Sequence, residues 1–431
     1  MSEERNLIIG FDFSDDFTQI SRYNEKSFEA ESIGEIQGDD NYLIPTVLAV
    51  HETSKDWLYG DEALACVNRG EAILVDHLVN KVLEKKDIVV CDVRFSTITI
   101  VEKYFRKVLL LLKKHFPNEN IKQLMVTIEK FDSYLIDTIY AALENMGILK
   151  DRVSIQSHGQ SYIYYALSQK KELWMNDVGM FDFNEQGLQY YQISIDRRNH
   201  PMVVGLLCKD FTQTLCYNML EECACDGTSM QGANFENIEY IFENITNHVL
   251  HKQIISTLYL TGNGFEGEWA DRVIKELCIG RRIFKGMNLY TKGACYAARE
   301  VLNKGRFEDF IFISEEMVAN EVTMKTYYDA KLNDVVLVNA AASWHEIDHK
   351  FDVILDDEKE IAFVVKNVLK RESKKLLFAL DGLVTRPNKM TRLTIKVKCL
   401  DKHTCMITVK DKGFGEFYPS TNRIWEMVIQ L

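Results

Sequence analysis

The sequence predicts an α/β fold of two similar lobes followed by a separate all-β domain. Three observations carry that prediction. A hairpin pattern near the N-terminus recurs far downstream, strands alternate with amphipathic helices after each copy, and the pattern changes to short strands without long helices after residue 307. Alternating strands and helices imply α/β layers, whereas a run of short strands implies an all-β unit.

The first hairpin is LIIGFDFSDDFTQISRYN, an apolar strand, an acidic turn at Ser14, Asp15 and Asp16, and a second strand. The second is DVGMFDFNEQGLQYYQISID, in which Phe181-Asp182-Phe183-Asn184 echoes Phe11-Asp12-Phe13-Ser14. Residues 99–115 and 133–146 carry apolar side chains at spacings of three and four, the signature of helices packed on one face. Residues 123–128 between them form a short buried strand. In the second half, 209–222, 269–277 and 292–302 read as helices and 257–261 as a strand. Beyond them, 322–328, 334–339, 350–354, 361–367, 376–379, 392–399, 405–410 and 425–429 read as strands separated by turn formers. Eight short strands predict a β-sandwich. The predicted boundaries are 1–172 for lobe I, 173–307 for lobe II and 308–431 for the β-domain.

Composition bounds the function. With 431 residues, 46% of them hydrophobic, the chain can bury substantial cores and is not disordered. Its formal charge of −13 argues against indiscriminate binding to nucleic acid or anionic membranes, which needs clustered cations. Residues 366–412 are locally basic and read as a solvated face of the β-domain. The ten cysteines are scattered, and Cys208, Cys216, Cys223 and Cys225 lack the paired spacing of zinc ribbons. They read as reduced thiols packed mostly on helix faces. The N-terminus lacks a basic segment followed by a long apolar run, and no long uncharged apolar stretch follows, which predicts a cytoplasmic protein.

The order of motifs over 1–305 resembles the actin, Hsp70 and sugar-kinase superfamily, and Hsp70 chaperones most. Ile9-Gly10-Phe11-Asp12 resembles the first phosphate motif, Ile44-Pro45-Thr46-Val47-Leu48 a family strand, and Thr261-Gly262-Asn263-Gly264 the adenosine motif. Tyr59-Gly60-Asp61-Glu62-Ala63, Val126-Thr127-Ile128 and the segment from Lys292 to Ala298 also fit in order. The resemblance implies duplicated actin-like, ribonuclease H-like ATPase lobes. Val336-Leu337-Val338-Asn339 and the strand after it resemble the start of the Hsp70 substrate-binding sandwich. The implied cofactor is Mg-ATP, with Asp12 and Asp182 holding Mg²⁺ indirectly and Ser14, Asp15, Asn184, Gly187, Gly262 and Gly264 lining the nucleotide. Two Gly-rich hairpins serve that chemistry because a residue without Cβ lets backbone N–H groups approach phosphate. The alternative for Asp12 and Asp182 is a turn residue capping a hairpin.

Departures from the family pattern bear on that chemistry. Ser14, Asp15 and Asp16 stand where Hsp70s carry Gly and two Thr, adding carboxylates beside a triphosphate. Two unit charges at about 4 Å repel by roughly 4 kcal/mol at an effective dielectric of 20. Asn184, Glu185 and Gln186 replace a Gly run before Gly187. The family's water-positioning Glu aligns with Ser157, and 227–253 is much shorter than the segment that covers the adenine. Efficient ATP hydrolysis is therefore not expected. The preferred expectation is a degenerate Hsp70-like protein with a degenerate nucleotide site, acting as a protein-binding or scaffold module. An ATP-dependent conformational switch and an actin-like filament former stand beside it.

His345-Glu346-Ile347-Asp348-His349 satisfies the zinc-protease pattern H-E-x-x-H, which requires a helix to place both imidazoles on one metal. Between strand-like segments the two His lie about 13 Å apart, too far for one zinc. The tyrosines Tyr162, Tyr164, Tyr165, Tyr190 and Tyr191 could stack a base but fit a core or interface better. Gly413-Phe414-Gly415-Glu416-Phe417-Tyr418 reads as a turn with exposed aromatics, a candidate protein-binding edge.

Overall fold

The computed structural model describes residues 6–34, 41–198, 200–220, 231–302, 305–328, 331–356, 359–369 and 372–431. The fold is mixed α/β, and the chain divides into two compact units, 1–194 with 206–308, and 195–205 with 309–431.

In the first unit, the hairpin of Asn6–Phe13 and Phe17–Asn24 begins a sheet. Glu29–Ile33 extends it antiparallel on one side, while Asn120–Ile128 and then Val153–Ser157 extend it parallel on the other. The second hairpin, Asp177–Asn184 with Gly187–Asp196, is extended in the same sense by parallel Ile255–Thr261 and Arg282–Lys285. The two arrangements correspond residue by residue. Asp12 pairs with Thr127 on the parallel side and Gln19 on the antiparallel side, while Asp182 pairs with Thr261 and Gln189.

Amphipathic helices cover these sheets because a sheet's apolar face must be buried. Thr97–His115 starts at Ser96, whose side chain accepts from the Thr99 N–H, and ends on Lys113, Lys114 and His115, cations suited to a helix C-terminus. Ser133–Asn145 is capped by Asp132, which accepts from Tyr134 and Leu135 N–H at 2.8 and 3.2 Å. Their inward residues join Phe11, Phe13 and Val126 in one core. Phe181, Phe183, Phe242 and Phe265 centre the core of the second sheet, with Phe242 supplied by the Gln231–Leu250 helix.

Close backbone approach fixes two glycines. A Cβ on Gly293, in the Leu289–Leu302 helix, would lie 1.9 Å from the Ser161 carbonyl oxygen of the His158–Ser168 helix. A Cβ on Gly10 would lie 2.1 Å from the Thr291 carbonyl oxygen. The Leu289–Leu302 helix is thus pressed against both a helix and the first strand.

The second unit contains two four-stranded antiparallel sheets. One orders Lys331–Val338, Asn320–Tyr328, Glu360–Asn367 and Ser373–Ala379; the other orders Asp348–Ile354, Arg392–Asp401, Thr404–Gly413 and Ile424–Gln430. Inward residues of both, such as Val322, Phe363, Ile395 and Ile407, share one core. Asp411 anchors the loop after Thr404–Gly413. It accepts two 2.8 Å bonds from Arg386 and further bonds from the Gly413 and Thr421 N–H groups. Although removal from solvent opposes its ionisation, these donors hold its carboxyl well below the usual range.

Two expectations, those for residues 209–222 and for the cysteines, are corrected. Residues 209–217 are not helical, because Met202–Asp210 is a strand and turns follow it; the helix expected over 209–222 is present at 218–220, and 221–222 lie outside the described residues. Cys399 and Cys405 face each other across adjacent strands and form a disulfide rather than reduced thiols. Among the described residues Cys66, Cys91, Cys216, Cys278 and Cys295 are free, whereas Cys223 and Cys225 lie outside the described residues. In the H-E-x-x-H segment, Trp344–Glu346 is a single 3-10 turn and Asp348–Ile354 is a strand, so the helix that zinc catalysis needs is not formed. Tyr162, Tyr190 and Tyr191 are buried, and the Tyr162 hydroxyl donates to the Val178 carbonyl at 3.0 Å, which makes them core residues. Among the described residues no helix is long and apolar enough to cross a membrane.

Ala is favoured over Gly within helices by about 1 kcal/mol, so Gly293→Ala would stabilise an unencumbered helix. The Ser161 contact is with backbone and cannot swing away, and overpacking of this kind costs about 1–3 kcal/mol or more. Urea unfolding should therefore show Gly293→Ala less stable than wild type. Gly286→Ala, with nothing near its Cβ, should fall within about 0.5 kcal/mol.

Candidate functional site

Asp12 and Asp182 sit one or two residues from the ends of their hairpin strands, at matching positions of the repeat. At each, the residue two positions on turns back to the carboxylate. Ser14 Oγ donates to Asp12 Oδ1 at 3.1 Å, and Asn184 Nδ2 donates to Asp182 Oδ1 at 3.4 Å. Such local bonds hold tight turns.

Each carboxylate also meets an aromatic ring from a helix. His158 Nε2 lies 2.8 Å from Asp12 Oδ1, and the Tyr290 hydroxyl donates to Asp182 Oδ2 at 2.5 Å. The two rings stack with centroids 3.9 Å apart and planes inclined by 12°. Asp12, His158 and Asp182 are all buried, at 6%, 6% and 5% exposure. The result is a continuous clasp from Asp12 through His158 and Tyr290 to Asp182.

The electrostatics follow from burial and crowding. Removal from solvent disfavours a charged His158, but Asp12, Glu129 and Asp182 outweigh it and raise the imidazole's pKa above its ordinary value. Burial raises the Asp182 carboxyl, with the Tyr290 bond and His158 opposing. Half-buried Glu129, just beyond the Asn120–Ile128 strand, is raised chiefly by removal from solvent, with His158 opposing and Asp182 adding.

The remaining sequence-predicted residues serve packing and turns. Asp15 accepts from the Val79 and Asn80 N–H groups at 2.9 and 3.1 Å, from Asn80 Nδ2 at 2.6 Å, and faces His77 Nδ1 at 2.9 Å. It binds the start of the Leu78–Leu83 helix instead of pointing at Asp12. Gly187, at φ 111°, abuts Thr212. Gly262 and Gly264 lie against Phe183, whose carbonyl oxygen would be 2.1 Å from a Cβ on Gly262. Ser157 caps the His158–Ser168 helix by accepting from the Gln160 N–H. Asp16 and Glu185, at the two hairpin tips, interact directly, and Asp16 is pushed up to about 7 by removal from solvent, then by Glu185, Asp15 and Glu129.

Among the described residues, two groups have the donor types of a metal centre. Asp15, Asp16 and His77 form one, with Asp15 already fully engaged as described. His51, Cys66 and Glu71 form the other, but His51 Nδ1 accepts from the Thr53 and Ser54 N–H groups and Glu71 accepts from Arg69 at 2.8 Å.

Sequence reasoning missed His158, Tyr290 and Glu129. His158 directly follows the aligned Ser157, so its position beside the site was the signal that could have found it. Tyr290 carried no motif of its own.

The model for the family described as "Family of unknown function (DUF5716) C-terminal" matches residues 29–315. The chain belongs to this family. A second model, "Domain of unknown function (DUF8552)", matches 317–431. No curated protein matches the chain. Within the family's matched span lie His158, Asp182 and Tyr290, whereas Asp12 precedes it.

Asp16 gives the site a pH signature. Its carboxyl binds a proton more tightly folded than unfolded, so folding is favoured while that proton is held and the contribution fades as pH rises from about 4 through about 7. Discounted for its partial solvent screening, the effect is about 1–2 kcal/mol. Asp16→Asn should flatten the loss of stability between pH 5 and pH 8 in urea titrations. An unchanged pH profile would remove Asp16 from this role.

Proposed function

We propose that the chain is a divergent relative of the actin and Hsp70 superfamily whose nucleotide site is replaced by a side-chain clasp. It works as a protein-binding or scaffold module. The matched strand orders, and the paired settings of Asp12 and Asp182 between Thr and Gln, support duplicated ribonuclease H-like lobes. The two sheets of the second unit, sharing one core, support a β-sandwich.

The observation that carries the reading is the bonding of both motif carboxylates to buried aromatic side chains. The residues do not fit Mg-ATP. Mg²⁺ needs free oxygen ligands and retained water, whereas Asp12 faces His158 and Asp182 faces Tyr290. The glycines of the adenosine motif are consumed by Phe183, and the hairpin tips add Asp16 and Glu185. Protein contact draws on exposed aromatics of the second unit, Tyr327, Tyr328 and Phe417, which suit an interface core.

One observation favours the nucleotide switch as a second reading. Asn263 Oδ1, in the adenosine motif, is buried without a hydrogen bond among the described residues. Thermal unfolding with and without millimolar Mg-ATP separates the two. Ligand at about 100 times its Kd stabilises by roughly 2.7 kcal/mol, a readable change in Tm. The clasp predicts no shift. A shift abolished by Asp12→Asn would replace it with the switch, and ATP-dependent light scattering would replace it with a filament former. The scaffold role predicts that a partner cross-linked to wild type in cells is lost on Tyr327→Ser with Tyr328→Ser; retention would move the interface elsewhere.

A further inference from the structure

A cavity of about 600 Å³ opens in the first unit at the end of the sheet opposite Asp12. Asn6 and Leu7, at the start of the first strand, line it, so it lies about 17 Å along that strand from the clasp at roughly 3.3 Å per residue. Its volume falls in the range typical of small-molecule sites, about 300–1,000 Å³.

The lining has two chemistries. Leu109, Ile121 and Ile148 give an apolar wall, the first buried and the others half-buried. Around it stand Lys113, Lys122 and Arg152, all exposed and all without an ion pair among the described residues. Arg106 also lines it but is held by Glu102 at 2.7 Å, and among the described residues Glu119 is the one carboxylate in the lining. Four cations to one anion is a local reversal in a chain of net charge −13.

Long basic side chains lay their methylene stems on apolar surface and present the charge at its edge. An apolar wall edged by three uncommitted cations matches a molecule with the same division and the opposite charge. We propose that this cavity binds an amphipathic anion, an apolar chain carrying one carboxylate or phosphate headgroup. The chain lies along Leu109, Ile121 and Ile148, and the headgroup takes charge-assisted hydrogen bonds from Lys113, Lys122 and Arg152. The clasp and its proposed role are not involved, so either idea can fail alone.

Calorimetric titration of the full chain with decanoate and with decyl phosphate tests it, with decyltrimethylammonium and inorganic phosphate as controls. Saturable one-site binding of at least one decyl anion is expected, decanoate reporting a carboxylate headgroup and decyl phosphate a phosphate one. Affinity should fall about tenfold or more in Lys113→Glu with Lys122→Glu, and should weaken as salt rises. Both lysines are exposed and unpaired among the described residues, and Arg152→Glu on a separate turn gives an independent variant should the double one unfold. Equal binding of the decyl cation, equal competition by inorganic phosphate, unchanged affinity in the variants or no saturable binding of either anion would each overturn the proposal.

Discussion

A carboxylate withdrawn from water must find a partner, and two such carboxylates at matched positions organise the first unit. Leaving one buried and unpaired costs several kcal/mol, more than most single contacts contribute. Asp12 meets that demand with His158, Asp182 with Tyr290, and the stacking of the two rings ties the solutions together. Removing any one member exposes the next to an unmet requirement. That coupling makes the clasp a single structural object instead of three separate contacts.

Its geometry depends on how closely two helices approach. His158 begins one helix and Tyr290 lies in the first turn of the other, and they meet where Gly293 passes the Ser161 carbonyl oxygen. Gly10 lets the second helix settle on the strand that ends near Asp12. Thr291 reinforces that seat by donating to the Gly10 carbonyl at 3.2 Å. Thus a residue that resembles part of a phosphate motif serves helix packing, and backbone proximity alone leaves no room for a Cβ there.

Much of this architecture was legible because it rests on period and repetition. The echo of Phe11-Asp12-Phe13-Ser14 in Phe181-Asp182-Phe183-Asn184 located both hairpins, and alternation located all eight strands of the second unit's two main sheets. The failures have local causes. Residues 209–222 mix apolar and polar side chains at helical spacing, but the strand Met202–Asp210 takes the first of them through pairing that no local pattern encodes. The cysteine pair was missed because six residues of separation become direct opposition only when the turn between Arg392–Asp401 and Thr404–Gly413 is known. His158 and Tyr290 were missed for a related reason, since a contact between residues so distant in sequence is visible only when both helices are in place.

The site's acidity bears on which molecules could replace the clasp. A triphosphate entering between the hairpin tips would meet Asp16 and Glu185, whose mutual repulsion adds to the burial that drives Asp16 toward its neutral form. It would also have to displace His158, the imidazole bonded to Asp12, while leaving Asp12 and Asp182 buried. A cation could offset the charge but not the loss of the imidazole and phenol bonds. An aspartate at each hairpin therefore needs no nucleotide to account for it: each closes its own turn through Ser14 or Asn184 and joins that turn to a helix. The same residue types that a phosphate site would use here hold the two halves of the repeat together.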